Sequence, residues 1–209
     1  MLMLAFDTAT PAVTVALHDG TDLLGQRTTV AAMRHGELLA PAIAAVLEQA
    51  GATRLDLTDV AVGVGPGPFT GLRVGLATAR TLGAVLGVAV RGVCTLDVMA
   101  AEARAGAAFL VATDARRKEV YCASYTAAAT RVEGPRVARP ADVATEAPVA
   151  GLGATLYPDA FPNAVVPQHP SAAVLAEVVV RRLVPVLPAE PLYLRRPDAT
   201  EPGFRKQVS

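Results

Sequence analysis

Two aspartates stand at turns where their neighbours suit phosphate or metal-ion chemistry. Asp7 is followed by Thr8 and Thr10, and Asp114 is followed by Arg116. A carboxylate beside hydroxyl groups can hold a nucleotide phosphate through its Mg²⁺, and a neighbouring guanidinium can clamp an anion. The alternative is a turn in which these side chains satisfy their own backbone, or a surface ion pair in the case of Arg116. For Asp7 the residues alone favour the turn.

A loop of glycines and prolines, residues 65–70, leads directly into a helical pattern. Such a turn leaves backbone N–H groups at a helix N-terminus, where an anion or another protein can dock. Gly65 and Gly67 at the start of a helix suggest a phosphate cradle, whereas Pro66 and Pro68 remove donors and stiffen the loop. No Gly-Lys-Ser/Thr follows, so the loop is not a phosphate-binding P-loop. A rigid loop of this kind could form a fixed docking surface for another protein as well as a binding site for a ligand.

The helix after this loop is apolar nearly all round. Leu72, Leu76 and Ala79 form one stripe, and Gly71 and Gly75 begin an adjacent stripe of small residues. Such a helix either lies in the core or is covered by a partner. Small residues on one face permit close approach of a second helix, so the pattern leaves both interpretations open.

Histidines and cysteines give little support for catalysis. His18, His35 and His169 form no HxxxH or HExxH pair, which argues against a helix-borne metal site, and no GxSxG motif is present. Cys94 and Cys122 form no CxxC pair and are expected to be buried apolar residues in a reducing compartment.

Composition restricts the possible partners. Lys+Arg and Asp+Glu balance at 19 each, so the chain of 209 residues has no overall basic field for nucleic acid. Aromatic residues make up 4% and Trp is absent, which argues against a base-stacking platform. The apolar start lacks a basic region, and no apolar run is suited to spanning a bilayer. We expect a soluble cytoplasmic protein without membrane contact, in which a partner supplies most of any RNA contact.

The elements that must position these residues follow a repeated order. Strands are predicted at 3–6, 12–17, 23–28, 60–64 and 88–92, and helices at 38–50, 70–86 and 96–104. The pattern then restarts with strands at 109–113, 119–125 and 131–137, a short piece near Pro140 and a helix at 172–183. This predicts two copies of one α/β unit, residues 1–106 and a smaller 107–209. The second copy ends in a Pro-rich, modestly basic tail that includes a possible strand at 192–194.

Five segments, in order along nearly the whole chain, resemble the TsaB family, also called YeaZ. They are residues 4–10, 34–41, 65–75, 114–121 and 191–196, of which the GPGxFTGxRxG block at 65–75 is the most specific. Pro68 stands where the family usually has Ser. The proline removes a hydroxyl and an N–H, so the loop is less suited to bind phosphate here.

The resemblance implies the duplicated actin-like ATPase fold (ASKHA, RNase H-like) with a reduced second half. It implies a subunit for making N6-threonylcarbamoyladenosine on tRNA. In that family the catalytic TsaD carries a metal-binding HxxxH pair and the ATP site, and TsaE is a small ATPase that joins the complex. The chain would be a non-catalytic scaffold that pairs with a TsaD-like subunit and homodimerises when alone. It would bind no cofactor tightly, with ATP and Mg²⁺ on the partner subunits, and would contact tRNA only indirectly.

The resemblance also implies which residues act. The family pairs through its first two helices, here 34–50 and 70–86, which predicts a partner interface of His35, Leu38, Leu39, Gly71, Leu72, Arg73, Gly75, Leu76 and Ala79. A vestigial nucleotide site would comprise Asp7, Thr8, Thr10, Gly65, Gly67, Asp114 and Arg116. No catalytic or metal-binding residue is predicted. One alternative is an ATP-dependent phosphotransferase of the same fold, acting through Asp7, Thr8 and Asp114. The other is a glycopeptidase-like (M22) enzyme, which no residue of the sequence supports.

Overall fold

The first half of the molecule is a five-stranded sheet with helices. The computed structural model describes residues 1–31, 34–103 and 105–195. The strands are β1 (Met3–Asp7), β2 (Ala12–His18), β3 (Leu23–Val30), β4 (Asp59–Gly63) and β5 (Ala89–Val93), and the helices are α1 (His35–Gln49), α2 (Phe69–Leu86) and α3 (Thr95–Ala103). Each predicted element is present to within a few residues. Arg104, the predicted end of α3, lies outside the described residues.

The first sheet has the order β3-β2-β1-β4-β5. β1, β2 and β3 are antiparallel neighbours, while β4 and β5 run parallel to β1. The central strands β1, β2 and β4 are buried along their whole length, as expected for a sheet covered on both faces. Leu39 of α1 and Leu76 of α2 join Phe6 and Val62 in the core on one face. The sheet therefore fixes the ends of β1 and β4, where the Asp7 turn and the glycine-proline loop begin.

The second half repeats this architecture in reduced form. Its elements are β6 (Phe109–Asp114), β7 (Val120–Tyr125), β8 (Arg131–Ala138), β9 (Val149–Ala150), α4 (Leu152–Leu156), β10 (Ala164–Val165) and α5 (Ala172–Val180). The sheet order is β10-β9-β6-β7-β8, with β7 antiparallel and β9 parallel to β6. Both sheets thus share one order and one set of strand directions. The predicted duplicated α/β fold with a smaller second copy is confirmed.

The reduction falls on the elements after the third strand of the unit. A 3₁₀ turn at Pro140–Val143 stands where α1 stands in the first copy, and the five-residue α4 stands where α2 does. β9 and β10 have two residues each, and the sequence did not predict them or α4. Strands and helices this short carry too little periodicity to be recognised from a pattern.

The halves exchange helices. α3 packs on the second sheet, where Leu96 and Met99 meet Phe109 and Tyr125. α5 packs on the first sheet, and its N-cap Ser171 accepts a hydrogen bond from the Val174 N–H at 3.4 Å. The predicted division after residue 106 falls between α3 and β6 and stays a prediction.

A strap, residues 185–195, returns from α5 across the first half. Leu187 exchanges backbone hydrogen bonds with Gly92 of β5, and the Leu192 N–H donates to the Val64 carbonyl at 2.9 Å. The predicted strand at 192–194 is wrong, because the strand-like pairing falls at Leu187 instead. The predicted helix at 172–183 ends at Val180, and the predicted basic residues of the tail beyond 195 lie outside the described residues.

Candidate functional site

A cavity of about 250 Å³ lies between the halves, at the ends of β1 and β6. Thr8 and Thr10 line it from the first half, and Asp114 and Arg116 line it from the second. The structure therefore brings together these residues of the predicted nucleotide site. Further lining comes from Pro11, His35, Gly36, Pro68, Thr70 and Gly71.

Asp7 does not reach this cavity. Its side chain is fully buried, and its two oxygens accept hydrogen bonds from the Ala9 N–H and the Thr95 hydroxyl, each at 2.7 Å. A Cβ at Gly63 would lie only 1.8 Å from Asp7 Oδ2, so β4 approaches the carboxylate closely. Burial raises the pKa of Asp7 to about 6, against which those two hydrogen bonds act. Both oxygens of the Asp7 carboxylate are thus engaged by the chain itself, and the role of Asp7 in holding a nucleotide or its metal ion stays a prediction.

The glycine-proline loop is also packed inside the chain. A Cβ at Gly67 would lie 2.1 Å from the Ala9 carbonyl oxygen, and a Cβ at Gly65 would lie 2.9 Å from a methyl of Leu72. Gly65 has a φ of +93°, which favours glycine. Both glycines let the loop pack against the β1–β2 turn and α2, and their contact with a ligand stays a prediction.

Asp114 holds the corresponding position in the second copy and remains accessible. Its Oδ1 accepts the Arg116 N–H at 2.7 Å, and its Oδ2 pairs with the Arg116 guanidinium at 3.4 Å. The Asp114 side chain keeps 14% of its surface and the Arg116 side chain 56%. The Arg116 guanidinium can bind an anion in the cavity. Asp114 meanwhile holds the turn in place through its hydrogen bond with the Arg116 N–H.

His35 joins the start of α1 to the β1–β2 turn. Its ring is buried, and Nε2 donates to the Thr10 carbonyl at 2.8 Å. The ring therefore bonds to the chain's own turn, and a partner contact of His35 stays a prediction.

Most of the predicted partner stripe is buried in the chain itself. A Cβ at Gly71 would lie 2.3 Å from the Thr8 carbonyl oxygen, and a Cβ at Gly75 would lie 2.5 Å from Thr8 Oγ1. The Thr8 hydroxyl donates to the Gly71 carbonyl at 2.7 Å. The small residues therefore let α2 close on the β1–β2 turn. That this stripe meets a partner stays a prediction, and the following members of it are buried in the chain itself: Leu39, Gly71, Leu72, Gly75, Leu76 and Ala79.

The remaining predicted interface residues keep exposed surface. Leu38 is half-buried and Arg73 is exposed. The Arg73 guanidinium lies 5.6 Å from the centre of the Phe69 ring, and its Nε donates to the Tyr193 hydroxyl at 3.1 Å. Arg73 thus ties α2 to the strap while part of it stays accessible.

A second set of small residues lies on the outer faces of α1 and α2. This set was not predicted from the sequence. The exposed members are Gly36, Ala40 and Ala44 on α1 and Ala77, Thr81 and Ala84 on α2. These residues recur every three or four positions, on the side of each helix opposite the leucine stripe. That helical spacing is the pattern from which they could have been predicted. The two helices contact each other, so these faces adjoin.

Neither a metal cluster nor a spanning helix is found in the described part of the chain. Residues 1–31, 34–103 and 105–195 contain no group of three or more His, Cys, Asp or Glu side chains placed to hold a metal ion. Over the same residues, no helix has the length and apolar character that crossing a membrane requires.

Fold and site together define a class: a duplicated α/β fold with a reduced second copy, whose first aspartate is buried in the core. A family model described as "TsaD: tRNA N6-adenosine threonylcarbamoyltransferase" matches residues 25–171. A solved structure of YeaZ from Pseudomonas aeruginosa aligns with 92% of this chain and 99% of its own, with a TM-score of 0.74 and 27% identity. A second Pseudomonas aeruginosa structure, described as similar to peptidase YEAZ, gives a TM-score of 0.78 at 26% identity, with 93% of this chain covered and 99% of that one.

Sequence relatives agree with this assignment. An uncharacterized protein of Mycobacterium tuberculosis is 46% identical over 200 residues, which is 94% of this chain and 93% of the relative. The tRNA threonylcarbamoyladenosine biosynthesis protein TsaB of Escherichia coli is 39% identical over 129 residues, 60% of this chain and 55% of that protein. The chain belongs to the TsaB (YeaZ) family.

Proposed function

We propose that this chain is a TsaB-like subunit of tRNA threonylcarbamoyladenosine biosynthesis and acts as a scaffold for a TsaD-like threonylcarbamoyltransferase. Support comes from family membership, since curated relatives of Escherichia coli and Bacillus subtilis are named tRNA threonylcarbamoyladenosine biosynthesis protein TsaB. The matching family model is described as the transferase itself. The match supports a chain that shares the transferase's family, and in this proposal the chain works beside a catalytic relative.

The observation that carries the non-catalytic role is the burial of Asp7. A carboxylate that holds the Mg²⁺ of a bound nucleotide must present its oxygens to that ion. Here both Asp7 oxygens bond to Ala9 and Thr95 at 2.7 Å inside a fully buried site. Extracting the carboxylate would leave the Thr95 hydroxyl and the Ala9 N–H unsatisfied, which costs about 1–3 kcal/mol for each group.

The partner surface is the outer face of α1 and α2. Its centre consists of small side chains such as Ala40 and Ala77, which allow close helix–helix approach. Val85 is 75% exposed near the end of α2. The face adjoins the cavity between the halves through Gly36, so a partner seated there lies close to the cleft.

The test places one bulky charge on this face. Ala77→Arg is expected to abolish or greatly weaken the complex with the TsaD-like subunit, measured by sedimentation velocity of the mixed proteins. The matched control is Ala127→Arg, an exposed alanine in the second half, which should leave the complex intact. Unchanged complex formation by well-folded Ala77→Arg protein would overturn the assignment of this surface.

Further features of the proposal follow the same surface. When alone, two copies of this chain pair through it, and a TsaE-like ATPase joins the complex with the TsaD-like subunit. ATP and Mg²⁺ bind tightly to those partner subunits rather than to this chain. The complex works in the cytoplasm, where tRNA is modified.

A further inference from the structure

The turn after β6 places cations in an unusual backbone conformation. Arg116, Arg117 and Lys118 have φ values of +61°, +54° and +59°, and all three are exposed. Residues with a side chain rarely adopt this left-handed region, where glycine would be at no disadvantage. Backbone strain of this kind concentrates at functional sites. The chain keeps cationic side chains at positions where glycine would fold more easily.

The turn is held firmly in place. The Glu119 N–H donates to the Arg116 carbonyl and the Ala115 N–H donates to the Glu119 carbonyl, each at 3.0 Å. From the strap, Arg195 Nη1 donates to the Ala115 carbonyl at 2.8 Å and pairs with Glu119. The turn is therefore a fixed platform that carries three consecutive cations, Arg116, Arg117 and Lys118, beside the carboxylates of Asp114 and Glu119.

A groove of about 550 Å³ adjoins the turn at Lys118. Arg139 lies on its rim, and Leu156, Tyr157 and Pro158 give it an apolar and aromatic lining. Leu156 is 47% exposed and Tyr157 is half-buried. Asp159 also lines the groove. Cations beside an accessible aromatic ring are the combination that binds unpaired nucleotides, through phosphate contacts and base stacking.

We propose that this turn and groove contact an unpaired segment of the tRNA, with Arg117, Lys118 and Arg139 on phosphates and Tyr157 against a base. The inference rests on the proposed function, which supplies tRNA as the substrate. Charge complementarity favours RNA over a protein occupant, and the apolar lining favours an unpaired base over a duplex, which offers only phosphates and sugar edges. The expectation of purely indirect tRNA contact is thereby revised for this one surface.

The test uses variants that should fold at least as well as the natural chain. Arg117→Gly/Lys118→Gly removes two cations and places glycine where φ is positive. Tyr157→Leu keeps an apolar side chain but removes the ring. Arg54→Gln, an exposed cation of the first half, is the matched control. Each is assembled with the TsaD-like subunit, and affinity for unmodified tRNA is measured by fluorescence anisotropy across a salt series.

The double glycine variant should bind tRNA more weakly, and the loss of two phosphate contacts with an unpaired strand should reduce the slope of log affinity against log salt by about 1.4. Tyr157→Leu should weaken binding about fivefold or more, and Arg54→Gln should change neither quantity. Unchanged affinity and slope in the double glycine variant would overturn the proposal. Loss of TsaE-like ATPase or TsaD-like subunit binding with tRNA affinity intact would also overturn it, by assigning the surface to a protein.

Failure of the proposed function would look different. In that case the natural chain itself would form no complex, or the complex would not modify tRNA at saturating tRNA concentration. Failure of this inference alone leaves assembly and modification intact in every variant, with KM for tRNA unchanged.

Discussion

Asp7 and Asp114 occupy matching places in the two copies of the unit, yet they differ in what surrounds them. Each ends the first strand of its sheet, and each accepts the N–H of the residue two positions later at 2.7 Å. Asp7 is fully buried and bonded to Thr95, whereas Asp114 keeps 14% of its side-chain surface and faces a cavity beside Arg116. One turn has become part of the core and the other has stayed at the cleft.

The difference lies in what closes over each turn. In the first copy, the glycine-proline loop and the 18-residue α2 pack on the turn through glycines. In the second copy the matching helix is the five-residue α4. Its Gly153 approaches Ala112 within β6 rather than the turn that follows β6. A complete copy thus seals its aspartate, and a reduced copy leaves its aspartate accessible.

The largest effect is expected where α2 closes on the first turn. Gly75→Leu would drive a side chain into Thr8, since even a Cβ would lie 2.5 Å from Thr8 Oγ1. We expect a loss of about 3 kcal/mol in the free energy of unfolding, the upper end of typical overpacking costs, because the added side chain meets a buried and hydrogen-bonded threonine. Urea denaturation followed by circular dichroism measures it.

Gly36→Ala is the control for that variant. A Cβ at Gly36 meets nothing within 4 Å, and the residue is exposed on α1. Stability should stay unchanged or rise by up to about 1 kcal/mol. Equal stabilities of the Gly75→Leu and Gly36→Ala proteins would refute the close packing of α2 on the turn.

The next effect is a pH dependence that belongs to Asp7. Burial raises the pKa of Asp7 from 3.8 to about 6, so the folded chain holds this proton where the unfolded chain has lost it. The stabilisation from the protonated carboxyl is complete below about pH 4 and is lost as the pH rises through about 6. Relative to Asp7→Asn, the natural chain should lose about 3 kcal/mol of unfolding free energy between pH 4 and 7.

Parallel urea titrations of the two proteins at each pH give this difference and cancel the contributions of other groups. A difference that stays constant from pH 4 to 7, or grows with pH, would show that Asp7 is not sealed in the core.

A smaller effect is expected at the second turn. Asp114→Asn removes a partly exposed ion pair with Arg116 but leaves an oxygen to accept the Arg116 N–H. The free energy of unfolding at pH 7 should fall by about 1 kcal/mol or less. A loss as large as that of the Gly75→Leu protein would remove the contrast between the two turns.

The smallest effect is expected for nucleotide. Isothermal titration of the isolated chain with Mg-ATP should show weak binding or none, because Asp7 is sealed and Pro68 offers no N–H at the start of α2. Tight binding with slow turnover that is lost in Asp7→Ala would restore the phosphotransferase alternative.

The repeated unit could be predicted from the sequence because its long strands and helices carry clear periodicity. The match of Asp7 with Asp114 followed from the same reasoning. The sequence could not show which surface the Gly71–Gly75 stripe packs against. A stripe that meets a partner and a stripe that meets its own chain have the same pattern. Only the structure shows that Thr8 lies against it.

The second half resisted prediction for a different reason. β9 and β10 are held by pairing with a distant strand rather than by local preference, and two residues show no alternation. The groove beside Lys118 is likewise assembled from α4, the 3₁₀ turn and the strained turn, which are separate in sequence. Contacts of this kind are fixed by the tertiary fold.

The central claim is that this chain supports a TsaD-like transferase without being one. The most direct measurement is reconstitution of tRNA modification from purified proteins, with N6-threonylcarbamoyladenosine quantified by mass spectrometry in the presence and absence of this chain. We predict that the modified nucleoside accumulates only when the chain is present, that Asp114→Asn supports it, and that Ala77→Arg does not. Equal accumulation without the chain would contradict the account.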